Sequence, residues 1–180
     1  EENDTDERKA QLAAHEGDVV TLHYQHTFNR TSGKDEYGMG INTATTEQRP
    51  DIVLNIRKAS GEIVLTYLYD AKYRVINDKK LDKDFEQQDI AENAGMPGGD
   101  YPPTDAINQM HRYRDAIYYS KEHEPYRSKE IIGGYILFPG RGSDEYIRRR
   151  YYSASVESVN IGAFPLLPNS DTLLREHLND

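Results

Sequence analysis

Apolar and polar residues alternate over residues 19–28 (VVTLHYQHTF), a run rich in β-branched and aromatic side chains, and this period of two predicts a strand. The same character returns over residues 51–57 (DIVLNIR) and 62–73 (EIVLTYLYDAKY). Lys58-Ala59-Ser60-Gly61 lies between them with the chemistry of a turn, so the two strands are expected to form an antiparallel hairpin. Residues 131–138 (IIGGYILF) are apolar almost without interruption, as in a strand covered on both faces, and Pro139-Gly140 ends the run. Residues 156–167 are expected to supply a further short strand. Helical signals fall in three places. Residues 6–16 (DERKAQLAAHE) are good helix formers that stop before Gly17. Thr104 is a suitable N-cap for a helix to about residue 120, with Ala106, Met110, Tyr113 and Ile117 on one stripe. Residues 171–178 close the chain as a third helix. A polar loop with Gly33, Gly38 and Gly40 follows the first strand, and residues 77–101, charged and then rich in Gly and Pro, read as a flexible connection. No internal repeat is visible. This order of elements predicts an α/β domain, a mixed central sheet flanked by helices.

Composition narrows the class. A chain of 180 residues is long enough for one substantial core, and the expectation is a single domain over residues 1–180, part of a longer protein. With 36% apolar and 29% charged residues, and no apolar run near the ~20 residues that a spanning helix needs, no membrane segment is expected. The acidic start, Glu1-Glu2-Asn3-Asp4-Thr5-Asp6-Glu7, is the opposite of a signal peptide. The absence of cysteine excludes a disulfide framework and a thiolate metal site, and fits a cytoplasmic location. The net charge of −9 argues against wholesale wrapping of nucleic acid. Positive charge is nevertheless concentrated at Arg112/Arg114 and Arg148-Arg149-Arg150, where a phosphate backbone can be met locally. Divalent cations also offset the carboxylates that hold them, so an acidic site and an anionic substrate are compatible.

Three acidic-x-Lys triplets occur: Glu7-Arg8-Lys9, Asp70-Ala71-Lys72 and Asp78-Lys79-Lys80. Only the middle one ends a long apolar strand, where residues two apart project to the same face. Pro50-Asp51 opens the preceding strand of the same hairpin, which brings Asp51 beside Asp70 if the register cooperates. Two carboxylates and an amine at one place suit phosphodiester hydrolysis. Hard oxygen ligands hold Mg²⁺, with Mn²⁺ able to substitute, and the cation lowers the pKa of a bound water. Lys72 would orient that water and counter the growing charge, and the Ala71 carbonyl would add a metal ligand. Taken alone, Asp70 and Lys72 are more simply a solvent-facing charge pair, and Asp51 a turn residue. Their company changes that reading.

Pro50-Asp51 followed by Asp70-Ala71-Lys72 resembles the PD-(D/E)XK signature of restriction-endonuclease-like nucleases. Gln109-Met110-His111-Arg112-Tyr113 resembles the Gln-x-x-x-Tyr element that several branches place on the helix after the lysine strand. The runs YDAKYRV, DAINQMHRYRDAI, GGYILFPG and IGAFPLLP are similar to the nuclease domain of McrC-type restriction proteins, over roughly residues 45–168. The resemblance implies that Asp51, Asp70 and the Ala71 carbonyl bind metal, that Lys72 and Gln109 serve catalysis, and that Tyr113 and Arg112 contact DNA. Glu7 and Glu16 are the nominal candidates for the acidic residue that the superfamily usually carries on its first helix.

The expected function is a Mg²⁺-dependent endodeoxyribonuclease, the cleavage component of a restriction or phage-defence system, with DNA as partner. The McrC-type resemblance adds a nucleotide-hydrolysing AAA+ partner and a homodimer. The alternatives are a catalytically silent DNA-binding or assembly module of the same fold, and an RNA-directed nuclease. Other residues carry less. His23 and His26 are three apart on a predicted strand, hence expected on opposite faces and not as joint ligands of one metal. His111 and His123 have no partner at metal-site spacing. Arg148-Arg149-Arg150 beside Tyr151-Tyr152 is either a solvated run or a phosphate- and base-contacting one. No GxxxxGK[ST] loop is present.

Overall fold

The computed structural model describes residues 10–12, 17–31, 41–60, 64–74, 102–119, 131–141 and 155–179. Eight strands are found among them: β1 (Ala10–Leu12), β2 (Val19–Tyr24), β3 (Ile41–Thr43), β4 (Ile52–Arg57), β5 (Val64–Ala71), β6 (Ile117–Tyr119), β7 (Ile131–Phe138) and β8 (Ile161–Pro165). The helices are α1 (Thr104–Ala116), α2 (Val156–Val159) and α3 (Thr172–Asn179). Six strands form one sheet in the order β1-β2-β4-β5-β7-β8, and β3 pairs with β6 in a separate two-stranded ribbon. The expected α/β architecture, a mixed sheet with flanking helices, is the fold of this chain. Among the described residues no helix is long and apolar enough to cross a membrane.

The chain divides into two compact units, residues 1–70 with 110–134 and residues 71–109 with 135–180. The first unit is built on an antiparallel meander in which β2 pairs with both β1 and β4, and β4 pairs with β5. The hairpin of β4 and β5 runs in the register Ile52↔Tyr69 to Arg57↔Val64. Its interior includes one polar rung. Asn55 and Thr66 are direct partners, both buried, and the Asn55 amide donates to the Thr66 hydroxyl at 3.0 Å. Val53 and Leu68, the next pair on the same face, are fully buried, and Val20, Met110 and Ile117 are also buried in this unit. The turn before β2 docks onto the turn after β4, where the buried Asp18 carboxylate accepts from Lys58 Nζ at 2.8 Å and from the Ala59 N–H at 2.9 Å.

The second unit gathers the start of α1, the C-terminal half of β7, α2, β8 and α3. Tyr135, Phe138, Ile161, Phe164 and Leu173 are buried in it. Tyr135, Phe164 and His177 form a ring cluster with centroids 4.5–5.1 Å apart. Such tilted and edge-on arrangements are the favoured ones for packed rings. α3 begins with a bond from Arg175 Nε to the Asp171 carboxylate at 2.7 Å, one turn apart.

Several sequence expectations change at the element ends. The predicted helix over 6–16 contains β1 instead, because Ala10, Gln11 and Leu12 pair with Leu22, Thr21 and Val20; a sheet edge overrides the local helix preference. The helix expected to reach residue 120 ends at Ala116, and Ile117-Tyr118-Tyr119 forms β6 against Thr43-Asn42-Ile41, a stretch that carries no strand signal of its own. Within 156–167 the strand starts only at Ile161, preceded by the single turn α2, and Asn160 in the left-handed region (φ 54°) separates the two. The first strand ends at Tyr24, four residues early, because Gln25 has φ 52° and turns the chain. The expected connection over 77–101 and the cluster Arg148-Arg149-Arg150 with Tyr151-Tyr152 lie outside the described residues, as do Glu7, Glu16 and His123.

Candidate active site

Asp51 and Asp70 sit at the same end of the β4–β5 hairpin. Ile52↔Tyr69 is its outermost pair, and Asp51 precedes Ile52 while Asp70 follows Tyr69, so the two acids flank that rung. Asp70 is 3% exposed, and Asp51, one residue before β4, is half-buried. The apolar strands put them there. Val53 and Leu68, also cross-strand partners, are fully buried and hold the register from one side of the hairpin.

Ala71 ends β5 and Lys72 follows it, half-buried, with its main-chain N–H donating to the Leu137 carbonyl at 2.8 Å. The chain therefore stays tied to β7 one residue beyond the end of β5. Tyr73 and Arg74 then emerge, and Arg74 pairs with Asp105 in the first turn of α1. On α1, Met110 is fully buried and Tyr113 is buried, whereas Arg112 is exposed and Gln109 is half-buried. The predicted stripe of Ala106, Met110, Tyr113 and Ile117 is thus the buried face. The Tyr113 hydroxyl donates to the Arg49 carbonyl at 3.2 Å, two residues before Asp51.

A second set of contacts reaches Asp51 from the end of β2. The Gln25 N–H donates to the Asp51 carbonyl at 2.6 Å, and Arg49 donates to the Gln25 side-chain oxygen at 2.9 Å and to its carbonyl at 3.4 Å. Phe28 and Gln48 close a two-residue bridge just beyond. Sequence reasoning singles out neither Gln25 nor Arg49; the nearest signal is Pro50, which has no N–H to give a ladder.

The two histidines correct an expectation. His23 and His26 do not lie on opposite faces: both are buried, at 2% and 5% exposure, with ring centroids 5.5 Å apart. The turn at Gln25 breaks the alternation, so His26 swings inward and sits edge-on to Phe28 at 4.8 Å.

Among the described residues no group of three or more His, Asp or Glu side chains is placed to hold a metal ion. The paired acids still fit a hard divalent cation as a donor set. Mg²⁺ is commonly held by one or two carboxylates and keeps several waters, so Asp51 and Asp70, with the Ala71 carbonyl next along the chain, have the right chemistry.

No curated protein and no solved structure matches this chain. A family model described as the PD-(D/E)XK nuclease superfamily matches residues 2–143, which include the hairpin acids, the lysine after them and helix α1. With that match over most of the chain, the chain belongs to the PD-(D/E)XK nuclease superfamily.

Proposed function

We propose that this nuclease is a divalent-metal-dependent DNA endonuclease with Asp51, Asp70 and Lys72 at its catalytic centre. The observation that supports the reading is the Ile52↔Tyr69 rung, which Asp51 and Asp70 flank at one end of the hairpin. Asp51 and Asp70, with the Ala71 carbonyl, hold the cation, for which Mg²⁺ is the proposed ion and Mn²⁺ a substitute. When bound, the cation supplies Lewis-acid stabilisation of the phosphorane and a water of lowered pKa. Lys72, two residues on from Asp70, orients the attacking water and offsets negative charge as it develops on the phosphate. Gln109 assists on α1, Tyr113 supports the loop that leads to Asp51, and the exposed Arg112 meets the DNA backbone.

The McrC-type resemblance supports a cleavage role in a restriction or defence system, with a nucleotide-hydrolysing AAA+ partner and dimerisation to cut both strands. That part is analogy at the level of the fold and motifs.

The test is nicking of supercoiled plasmid by the purified protein with Mg²⁺ or Mn²⁺. Metal-dependent nicking that Lys72→Ala abolishes, with an unchanged circular dichroism spectrum, is the expected result. Nicking that survives Lys72→Ala removes the lysine from the mechanism, and cleavage of RNA in preference to DNA replaces the substrate.

A further inference from the structure

Asp51 occupies an unusual position for a residue that must be held still. Pro50 precedes it and contributes no main-chain donor, and Asp51 itself lies outside the last assigned pair of β4. One contact that holds its backbone comes from Gln25. Its N–H reaches the Asp51 carbonyl, and its backbone is in the left-handed region, at φ 52°, where a residue with a Cβ is strained. Strain of this kind persists only where the surroundings enforce it. Here Arg49 does so, donating to both the side-chain oxygen and the carbonyl of Gln25, while its own carbonyl is gripped by Tyr113. Both Gln25 and Arg49 are exposed, and β2 is already paired with β4 along six residues without them. The clasp thus adds little to the sheet. Its effect falls on the end of the hairpin where Asp51 and Asp70 lie.

We propose that Gln25 and Arg49 are positioning residues: a surface clasp that aims the Asp51 carboxylate at the divalent cation it shares with Asp70. The inference rests on the metal-binding reading of that acid pair. Outer partners that orient a metal ligand matter almost as much as the ligand, and losing one typically weakens metal affinity about ten- to a hundredfold.

The experiment is Mn²⁺ titration of the full chain followed by electron paramagnetic resonance, well below the melting transition, for wild type, Asp51→Asn, Arg49→Ala, Arg49→Lys and Gln25→Gly. Glycine adopts positive φ freely, so Gln25→Gly removes the side chain while leaving the turn accessible. Arg49→Ala and Gln25→Gly are expected to weaken Mn²⁺ binding by roughly tenfold or more, with Arg49→Lys recovering part of the loss and melting temperatures nearly unchanged. A purely structural clasp would instead lower the melting temperature and leave Mn²⁺ affinity alone, which overturns the proposal. If the wild type binds no Mn²⁺, or Asp51→Asn binds it equally well, the acid-pair reading fails and takes the clasp with it. If Asp51→Asn loses Mn²⁺ and Arg49→Ala keeps it, only the clasp is wrong.

Discussion

The Tyr113 hydroxyl reaches from helix α1 to the main-chain carbonyl of Arg49, 3.2 Å away, and so anchors the loop that delivers Asp51. Tyr113→Phe removes that hydroxyl and keeps the buried ring. The expected loss of stability is about 1 kcal/mol, the usual net value of one such bond, measured by urea unfolding. Nicking activity should fall as well, since the loop leads directly to a proposed metal ligand; an unchanged rate would separate the anchor from catalysis.

Cation binding to the folded chain alone must raise its stability by mass action, by about 2.7 kcal/mol when the ion is at a hundred times its dissociation constant. Thermal melts with and without Mn²⁺ should therefore differ for the wild type and coincide for Asp70→Asn. An equal shift in both would place the ion elsewhere.

Gly134 packs against helix α1, and a Cβ built on it would lie 3.3 Å from the Met110 Cβ. Gly134→Ala is expected to cost about 1 kcal/mol and Gly134→Val about 3 kcal/mol, as overpacking does in a filled core. Combining Gly134→Ala with Met110→Ala should recover part of the sum, a coupling that a double-mutant cycle in denaturant measures directly.

Asp18 is a buried carboxylate that accepts from the Lys58 ammonium and from the Ala59 N–H. Asp18→Ala removes both bonds and should destabilise by about 1 kcal/mol, the usual net value, since the exposed Ala59 N–H can turn to water, whereas Asp18→Asn keeps an acceptor and should lose less. Equal losses for the two variants would show that the carboxylate charge, not the bond to Ala59, is what counts.

The parts of the fold that can be read from the residues are those whose evidence is local. Period-two runs flanking Lys58-Ala59-Ser60-Gly61 announce the hairpin, and Ala106, Met110 and Tyr113 of the predicted stripe announce the buried face of α1, while Ile117, also buried, falls in β6. Pro50-Asp51 and Asp70-Ala71-Lys72 are legible for the same reason, since both stand at the ends of those runs. The three-residue strands β1, β3 and β6 are not. Each owes its conformation to a distant partner, as Ile117 does to Thr43, and three residues carry too little pattern to outweigh a helical or loop-like neighbourhood. His26 and the clasp at Arg49 escape because one torsion at Gln25 redirects everything after it. A glutamine gives no warning of a positive φ in the way that glycine or asparagine does.

The buried rung of Asn55 and Thr66 lies four pairs inward from the two acids. Were β4 to slide against β5 by one residue, Asn55 would meet Leu65 or Tyr67, and its amide would be deprived of the hydroxyl. A misaligned hairpin is therefore penalised by the loss of that bond, and it also shifts the two acids proposed to share a cation. The alignment of the hairpin's outer end is thus guarded by an amide and a hydroxyl four pairs away.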